Sequence, residues 1–420
     1  MKSKILTASI IGNALEYYDF TIYAVFSVEI GKLFFPKQDD FAQLFLSLAV
    51  FAVGFLMRPL GAIFFGHIGD RLGRKRALTL SIGCMAIPTF AIGCMPGFEV
   101  IGLWAPALLV LCRLIQGISI GGEGAGSAIF ILEHNKNIGF GTLGGIITAS
   151  NFIGAFIATL VGLGITHLTS SAVGWRYAFI LGGLLGMVGF YLRIRATETP
   201  VFEALAVNKH IVKIPLLKAL KENPKPVLLS VCLGGIAGSA AYMILAYVNL
   251  FFSKIIGLSP TESLRYAVLG MGSYILLLPI FGRLSDRVGY NKTLIQSCVG
   301  MFIFAMPVFT TMSLNHPLLN IVAIIALAAL AAWNCAPAYP FMLQMFPAEQ
   351  RYSGMAFSFN LGLALFGGTT PIISAYLSKL TGLSYAPSFY LMGLVSLYLI
   401  CYWLVAAPRQ TTKDGLAFSV

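Results

Sequence analysis

Apolar residues fill this chain in long unbroken runs. Twelve can be marked, at 7–34, 41–65, 77–96, 105–132, 139–166, 177–194, 226–252, 264–283, 292–312, 318–346, 353–378 and 387–407. Each is close to the ~20 residues that a helix needs to cross a bilayer core. A membrane barrel would instead show ~10-residue segments of alternating polarity. The pattern predicts an all-α integral membrane protein with twelve transmembrane helices in two six-helix bundles. The longest polar interruption, "RIRATETPVFEALAVNKHIVKIPLLKALKENPK", separates the sixth run from the seventh. It reads as a cytoplasmic linker, partly as short amphipathic helices on the membrane surface. The expected organisation is an N-terminal bundle 1–192, a linker 193–225, a C-terminal bundle 226–407 and a short tail 408–420.

Composition agrees. Of 420 residues, 58% are hydrophobic and 10% charged, where a soluble domain has about 25% charged. The net charge of +12 would suit a nucleic-acid partner, but its distribution does not. With twelve spans and a cytoplasmic N-terminus, twenty of the 28 Lys and Arg fall on cytoplasmic segments and six outside, with Arg58 and Arg113 inside spans. This bias puts both termini in the cytoplasm and argues for a lipid bilayer and against nucleic acid as partner. The opening "MKSKILTASI" imitates a signal peptide, yet the run continues with acids inside it and shows no cleavage site. It reads as a retained first helix. The seven cysteines lie in apolar runs without paired spacing and read as core residues. The histidines, His134 among them, read as solvated residues of loops or helix ends; no metal spacing appears, and neither metal nor cofactor is expected.

Acids inside the runs change the picture most. In "GNALEYYDF", Glu16 and Asp19 lie three residues apart. They stand ~15–20 Å along the first helix, near the bilayer midplane. The spacing places them on one face with Asn13 and Tyr23. Ionisable groups at that depth mark functional sites. On the fourth run Arg113, Gln116, Ile120, Glu123 and Ser127 follow one helical face. A salt bridge from Glu16, Asp19 or Glu123 to Arg113, made and broken by protonation, would couple proton movement to conformation. The competing reading is a static polar network. Glu133, at the end of the fourth run, reads as an interdomain latch or a helix-end residue.

The C-terminal half carries almost no charge in its runs. It offers Tyr242, Tyr247, Asn249, Trp333, Asn334, Tyr339 and Asn360 which, with Tyr17 and Tyr23, are candidates to line a substrate cavity. A di- or tricarboxylate would want more than one buried cation, and Arg113 alone is well placed, Arg58 reading as closer to the inner end. A zwitterion needs one cation and aromatic faces for its ammonium. The prolines of "APAYP" and the glycines of "GISIGGEGAG" permit bends and close helix approach.

An internal repeat supports two halves. "GHIGDRLGRKR" follows the second run and "GRLSDRVGYNK" the eighth; Gly66, Asp70, Arg71 and Gly73 match Gly282, Asp286, Arg287 and Gly289 at an offset of 216. With Arg74, these residues resemble the G-x-x-x-D-R-x-G-R-[RK] loop of the major facilitator superfamily, and Arg113, Gln116 and Gly117 its Arg-x-x-Gln-Gly motif. "RPLGAIFFGHIGDRLGRK", "GWRYAF", "ETPVF" and "MFPAEQRYSGMAFSFN" narrow the resemblance to the metabolite:proton symporters, and most to their proline/glycine-betaine branch. The resemblance implies that Asp70 docks near the N-terminus of helix eleven, which begins at Arg351, and that the loop residues Gly66, Asp70, Arg71, Gly73, Arg74, Asp286 and Arg287 gate the inner face.

It further implies a secondary transporter, not an enzyme: a monomeric proton symporter taking up a small zwitterion such as proline or glycine betaine. Its partners are the small-molecule substrate and protons. A carboxylate cargo like α-ketoglutarate, citrate or shikimate is the alternative; a transporter-derived sensor or membrane enzyme ranks lower. Two departures stand out. Gly124 occupies a position where relatives tend to carry tyrosine. No heptads follow the last run, so osmotic gating through a terminal coiled coil is not expected.

Overall fold

The computed structural model describes residues 2–36, 40–135, 138–168 and 171–406. The expected tail, 408–420, lies outside them, as does residue 407 at the end of the C-terminal bundle. The described residues hold helices and turns, with no strand among them. In chain order the long helices are α1 (Lys2–Val25), α2 (Ala42–Arg71), α3 (Arg74–Cys94), α4 (Trp104–His134), α5 (Phe140–Ile165) and α6 (Val173–Ile194). The second set is α7 (Pro224–Ile256), α8 (Pro260–Val288), α9 (Tyr290–Ser313), α10 (Pro317–Met345), α11 (Ala348–Thr381) and α12 (Pro387–Val405). Eleven of the twelve are long and apolar enough to cross a membrane; α1, which carries the acids, completes the set.

Local sequence explains the breaks. Helix α10 is interrupted after Cys335 and resumes at Ala338, across Pro337 of "APAYP", because proline lacks the N–H of the next helical bond. Helix α7 loosens into π-turns at Met243–Tyr247 and Phe251–Ile256, and α11 at Leu363–Gly367. Such π-turns re-aim side chains and cluster at functional sites. Gly73 begins the tight turn into α3 with φ +117°, a conformation that suits glycine.

The two halves meet in a symmetric way. Helix α2 packs on α11, and α5 on α8. Exchanging the halves maps one contact onto the other, as the sequence repeat requires. One residue sits differently from the sequence expectation. Arg193, read as the start of the linker, belongs to the last turn of α6 and is 3% exposed. The linker then forms two short helices, Pro200–Val207 and Pro215–Glu222. Glu198 fastens its start: the carboxylate accepts from the backbone N–H of Lys75 and Thr199. Burial holds this carboxyl above the ordinary glutamate value, and those two N–H groups offset part of the shift.

Candidate functional site

Helix α1 turns Glu16 and Asp19 into the N-terminal half, where both are buried. Of the three acids expected to compete for Arg113, Asp19 takes it, with Nη1 3.2 Å from Oδ2. The other Asp19 oxygen accepts from Thr89 Oγ1 at 2.7 Å and Gln116 Nε2 at 3.0 Å. Arg113 and Gln116 are i,i+3 neighbours on α4, which aims both at one acid. The Tyr23 ring covers the guanidinium at 3.7 Å. Glu123 pairs instead with Arg193, and accepts from Ser81 Oγ at 2.5 Å. Glu16 has an oxygen, Oε2, that is buried without a hydrogen-bond partner among the described residues. Asn13, expected beside the acids, turns its amide toward Ser150 of α5 at 3.5 Å. Glu16, Asp19, Thr89, Ser119 and Glu123 line a narrow void inside the N-terminal half.

A second cavity lies between the halves. Its walls are aromatic: Tyr17, Phe152, Tyr242, Tyr274, Tyr339 and Phe359. Asn151 Oδ1 is buried there without a partner among the described residues, and the Tyr274 hydroxyl lies on the same wall. Arg58, read from sequence as nearer the inner end, is buried over the rings of Phe20 and Phe55, at 5.0 and 4.5 Å. Phe55 in turn contacts Tyr242 at 6.1 Å, and Arg58 lies within electrostatic reach of Tyr17, Tyr242 and Glu16. Glu16 and Tyr17 are adjacent in sequence, so ~100° of helical rotation turns them to different sides of α1. The acids face one chamber and the aromatic wall the other.

Of the nine residues expected to line a substrate cavity, Tyr17, Tyr242 and Tyr339 line the cavity between the halves, and Asn249 is exposed. Tyr23 covers Arg113. Tyr247 packs on Phe251 and Phe309 with its hydroxyl 3.5 Å from Ser378. Trp333 stacks on Phe281, and Asn334 donates to Ser297 Oγ at 3.1 Å. Asn360 donates to the Gly121 carbonyl across the interface. Helical spacing alone does not say which of two buried faces a polar residue occupies. Asn151, Tyr274, Phe152, Ser81, Thr89 and Arg193 escaped notice for the same reason. An asparagine inside the apolar "ITASNFIG" was the one available signal.

The residues expected to gate concentrate where α2, α4, α8 and α11 end or begin, here termed the basic end. Asp70 Oδ1 and Oδ2 accept from the backbone N–H of Tyr352 and Ser353, at 3.0 and 2.8 Å. Asp286 does the same for α5, accepting from Gly141 and Thr142 N–H at 2.7 and 2.8 Å. Each repeated aspartate therefore caps a helix of the opposite half, where exposed N–H groups and the helix dipole favour an anion. Gly66 lets α2 approach α11, since a Cβ there would stand 2.8 Å from Ser353 Cα. Arg74 is fully buried, 3.3 Å from Asp70 and 3.6 Å from Glu133, and donates to the Ala348 carbonyl at 2.6 Å. Glu133 also holds Arg351 across the interface at 2.9 Å. Arg71 and Arg287 are exposed. His134, expected to be solvated, is buried with ring nitrogens facing the Phe130 and Glu198 carbonyls.

Known proteins resemble this chain in sequence and fold. The chain is 32% identical over 411 residues to a proline/betaine transporter of Escherichia coli (strain K12), covering 93% of this chain and 80% of that protein. It is 33% identical over 414 residues to the glycine betaine/proline/ectoine/pipecolic acid transporter OusA of Dickeya dadantii (strain 3937), with the same coverage. In fold it superposes on the proton:xylose symporter XylE bound to 6-bromo-6-deoxy-D-glucose with a TM-score of 0.77 at 16% identity, covering 97% of this chain and 95% of that one. A partially occluded inward-open form of XylE from E. coli gives 0.68 at 15% identity, with 99% of each chain covered. The profile of the Major Facilitator Superfamily matches residues 9–359 and 271–418. With its two helical halves and its relatives among bacterial transporters, the chain is a multi-pass membrane protein and belongs to the Major Facilitator Superfamily.

Proposed function

We propose that the protein is a proton-coupled symporter that takes up a small zwitterion such as proline or glycine betaine by alternating access, working as a monomer without a cofactor and with the proton as its coupling ion. The basic end faces the cytoplasm. The observation that carries this reading is the aromatic-walled cavity between the halves with a single arginine, Arg58, at its edge. Aromatic faces attract an ammonium or quaternary ammonium, and one guanidinium answers one carboxylate. Asn151 Oδ1, buried and without a partner among the described residues, and the Tyr274 hydroxyl on the same wall supply polar contacts for the cargo. The printed names of the bacterial relatives include proline and betaine, which supports the same cargo class. A dicarboxylate or tricarboxylate is disfavoured, because Arg113 is held by Asp19 on the far side of α1.

Proton coupling rests on the Asp19–Arg113 pair. Ion pairing in a low-dielectric interior is far stronger than in water, so protonation of Asp19 releases Arg113 and changes how α1 and α4 hold together. Titration calorimetry tests the cargo. Proline and glycine betaine are expected to bind, and citrate and α-ketoglutarate not to; binding of the carboxylates alone would reverse the assignment. Arg58→Ala is expected to weaken zwitterion binding by about tenfold or more, the worth of one charge-assisted contact. Gly124 offers a second check. A Cβ there would lie 3.5 Å from the Tyr339 hydroxyl, so Gly124→Tyr puts a ring against the cavity wall. Overpacking costs about 1–3 kcal/mol, and the zwitterion Kd should rise accordingly; an unchanged Kd would move the cargo elsewhere.

A further inference from the structure

We infer that the N-terminal half contains its own proton passage, walled off from the cargo cavity by α1, with the Glu123–Arg193 pair as its second station. This rests on the proton-coupled reading above and goes beyond it by assigning a route. Gly12 and Glu16 are i,i+4 neighbours on one face of α1. A Cβ at Gly12 would stand 3.1 Å from Glu123 Oε1 and would collide with the Arg193 guanidinium. The Glu123–Arg193 pair therefore lies against α1 one turn below Glu16. The Asp19–Arg113 pair lies on the other side of Glu16, one turn above. Between the two arginine-paired carboxylates stands Glu16, its Oε2 buried and without a hydrogen-bond partner among the described residues. All three acids line the same void. Arg113 and Glu123 are ten residues apart on α4, ~15 Å, so the ladder covers about half of the ~30 Å hydrocarbon core.

Chemistry suits the middle position. An isolated buried carboxylate is costly, and binding a proton removes that cost. Glu16 in its acid form gives its proton across the void to the Glu123 carboxylate, directly or through one water. Glu16 is left ionised and Glu123 neutral. Arg193 loses its ionic partner and keeps the Leu78 carbonyl, to which it already donates at 3.1 Å. When the basic end opens, Glu123 releases the proton to water and pairs with Arg193 again, while Asp19 returns a proton to Glu16 from the opposite end. The groups facing Glu123 are Glu16 from α1, Ser81 from α3, Arg193 from α6 and the Tyr352 hydroxyl from α11, which donates to the Gly122 carbonyl. Arg58 of α2 acts on Glu16 from the cargo side.

Purified full-length protein in proteoliposomes tests the passage. Glu123→Gln is expected to lower pH-gradient-driven accumulation of proline by at least about tenfold. Cargo Kd should stay within about twofold, because Glu123 does not line the cargo cavity. Gly12→Ala removes no titratable group but pushes Arg193 off its partner, and should give the same split. Wild-type uptake insensitive to a protonophore would overturn the proposed function itself. Sensitive wild-type uptake with undiminished accumulation in both variants would overturn the passage alone. Should Glu123→Gln fail to fold, infrared difference spectra between acid and alkaline buffer decide with Glu123→Asp, which keeps the acid. A shifted carboxylic band supports the proton on residue 123, and an unshifted spectrum contradicts it.

Discussion

Asp19→Asn is expected to abolish gradient-driven accumulation, lowering it by at least about 100-fold, the scale on which positioned proton-transfer groups act. It should also destabilise the protein. Asp19 and Arg113 are each 2% exposed, and removing one member of a buried pair leaves the other uncompensated, at about 3–5 kcal/mol. The two effects can be separated. In Asp19→Asn/Arg113→Gln no charge is left unpaired, so the melting temperature should recover while accumulation stays lost. Recovery of both would make the pair a structural element that carries no proton. Full accumulation in the single mutant would do the same.

Asp70→Asn should open the basic end. Asp70 accepts two backbone N–H groups of α11 and pairs with Arg74; hydrogen bonds to charged groups contribute about 1.5–3 kcal/mol each. Losing the charge from such a site shifts the closed-to-open equilibrium by roughly tenfold or more, since ~1.4 kcal/mol is a factor of ten. Spin labels carried by unnatural amino acids at the exposed Arg71 and Arg287 positions report it: the distance between halves should lengthen. Asp286→Asn should have the smaller effect. The residue four beyond Asp70 is Arg74, but four beyond Asp286 is Tyr290, whose hydroxyl donates at 3.1 Å. The second contact thus lacks an equivalent of Arg74, which with Glu133 and the half-buried Arg351 forms a charged cluster across the interface. Unchanged distances in both mutants would remove the aspartates from the gate.

Depth and repetition are what the sequence carries well. Run length alone predicts the helices, and the offset repeat predicts two aspartates in equivalent loops. Their partners, the N-termini of α11 and α5, are visible only when the opposite halves meet. Partner choice among the acids was not legible. Helical spacing put Glu16 and Asp19 on one face of the first helix and Arg113 and Glu123 on one face of the fourth, but which acid takes the arginine depends on the rotation of α1 against α4. The pattern hid Arg193 altogether, because an arginine at the end of an apolar run looks like a membrane-surface anchor. Its burial, its pairing with Glu123 and the close approach at Gly12 show that it points inward. The aromatic cavity was half legible: Tyr17, Tyr242 and Tyr339 line it, whereas Tyr247, Trp333 and Asn334 occupy the inward faces of their own bundle.

Separate chambers on the two sides of α1 make one experiment decisive. Purified protein is reconstituted into proteoliposomes, an inside-alkaline pH gradient is imposed, and radiolabelled proline or glycine betaine uptake is followed together with external pH. Coupled symport predicts accumulation above the external concentration, alkalinisation of the medium in proportion to cargo taken up, and loss of both on adding a protonophore. Accumulation that survives the protonophore, or cargo entry with no proton movement, would contradict it.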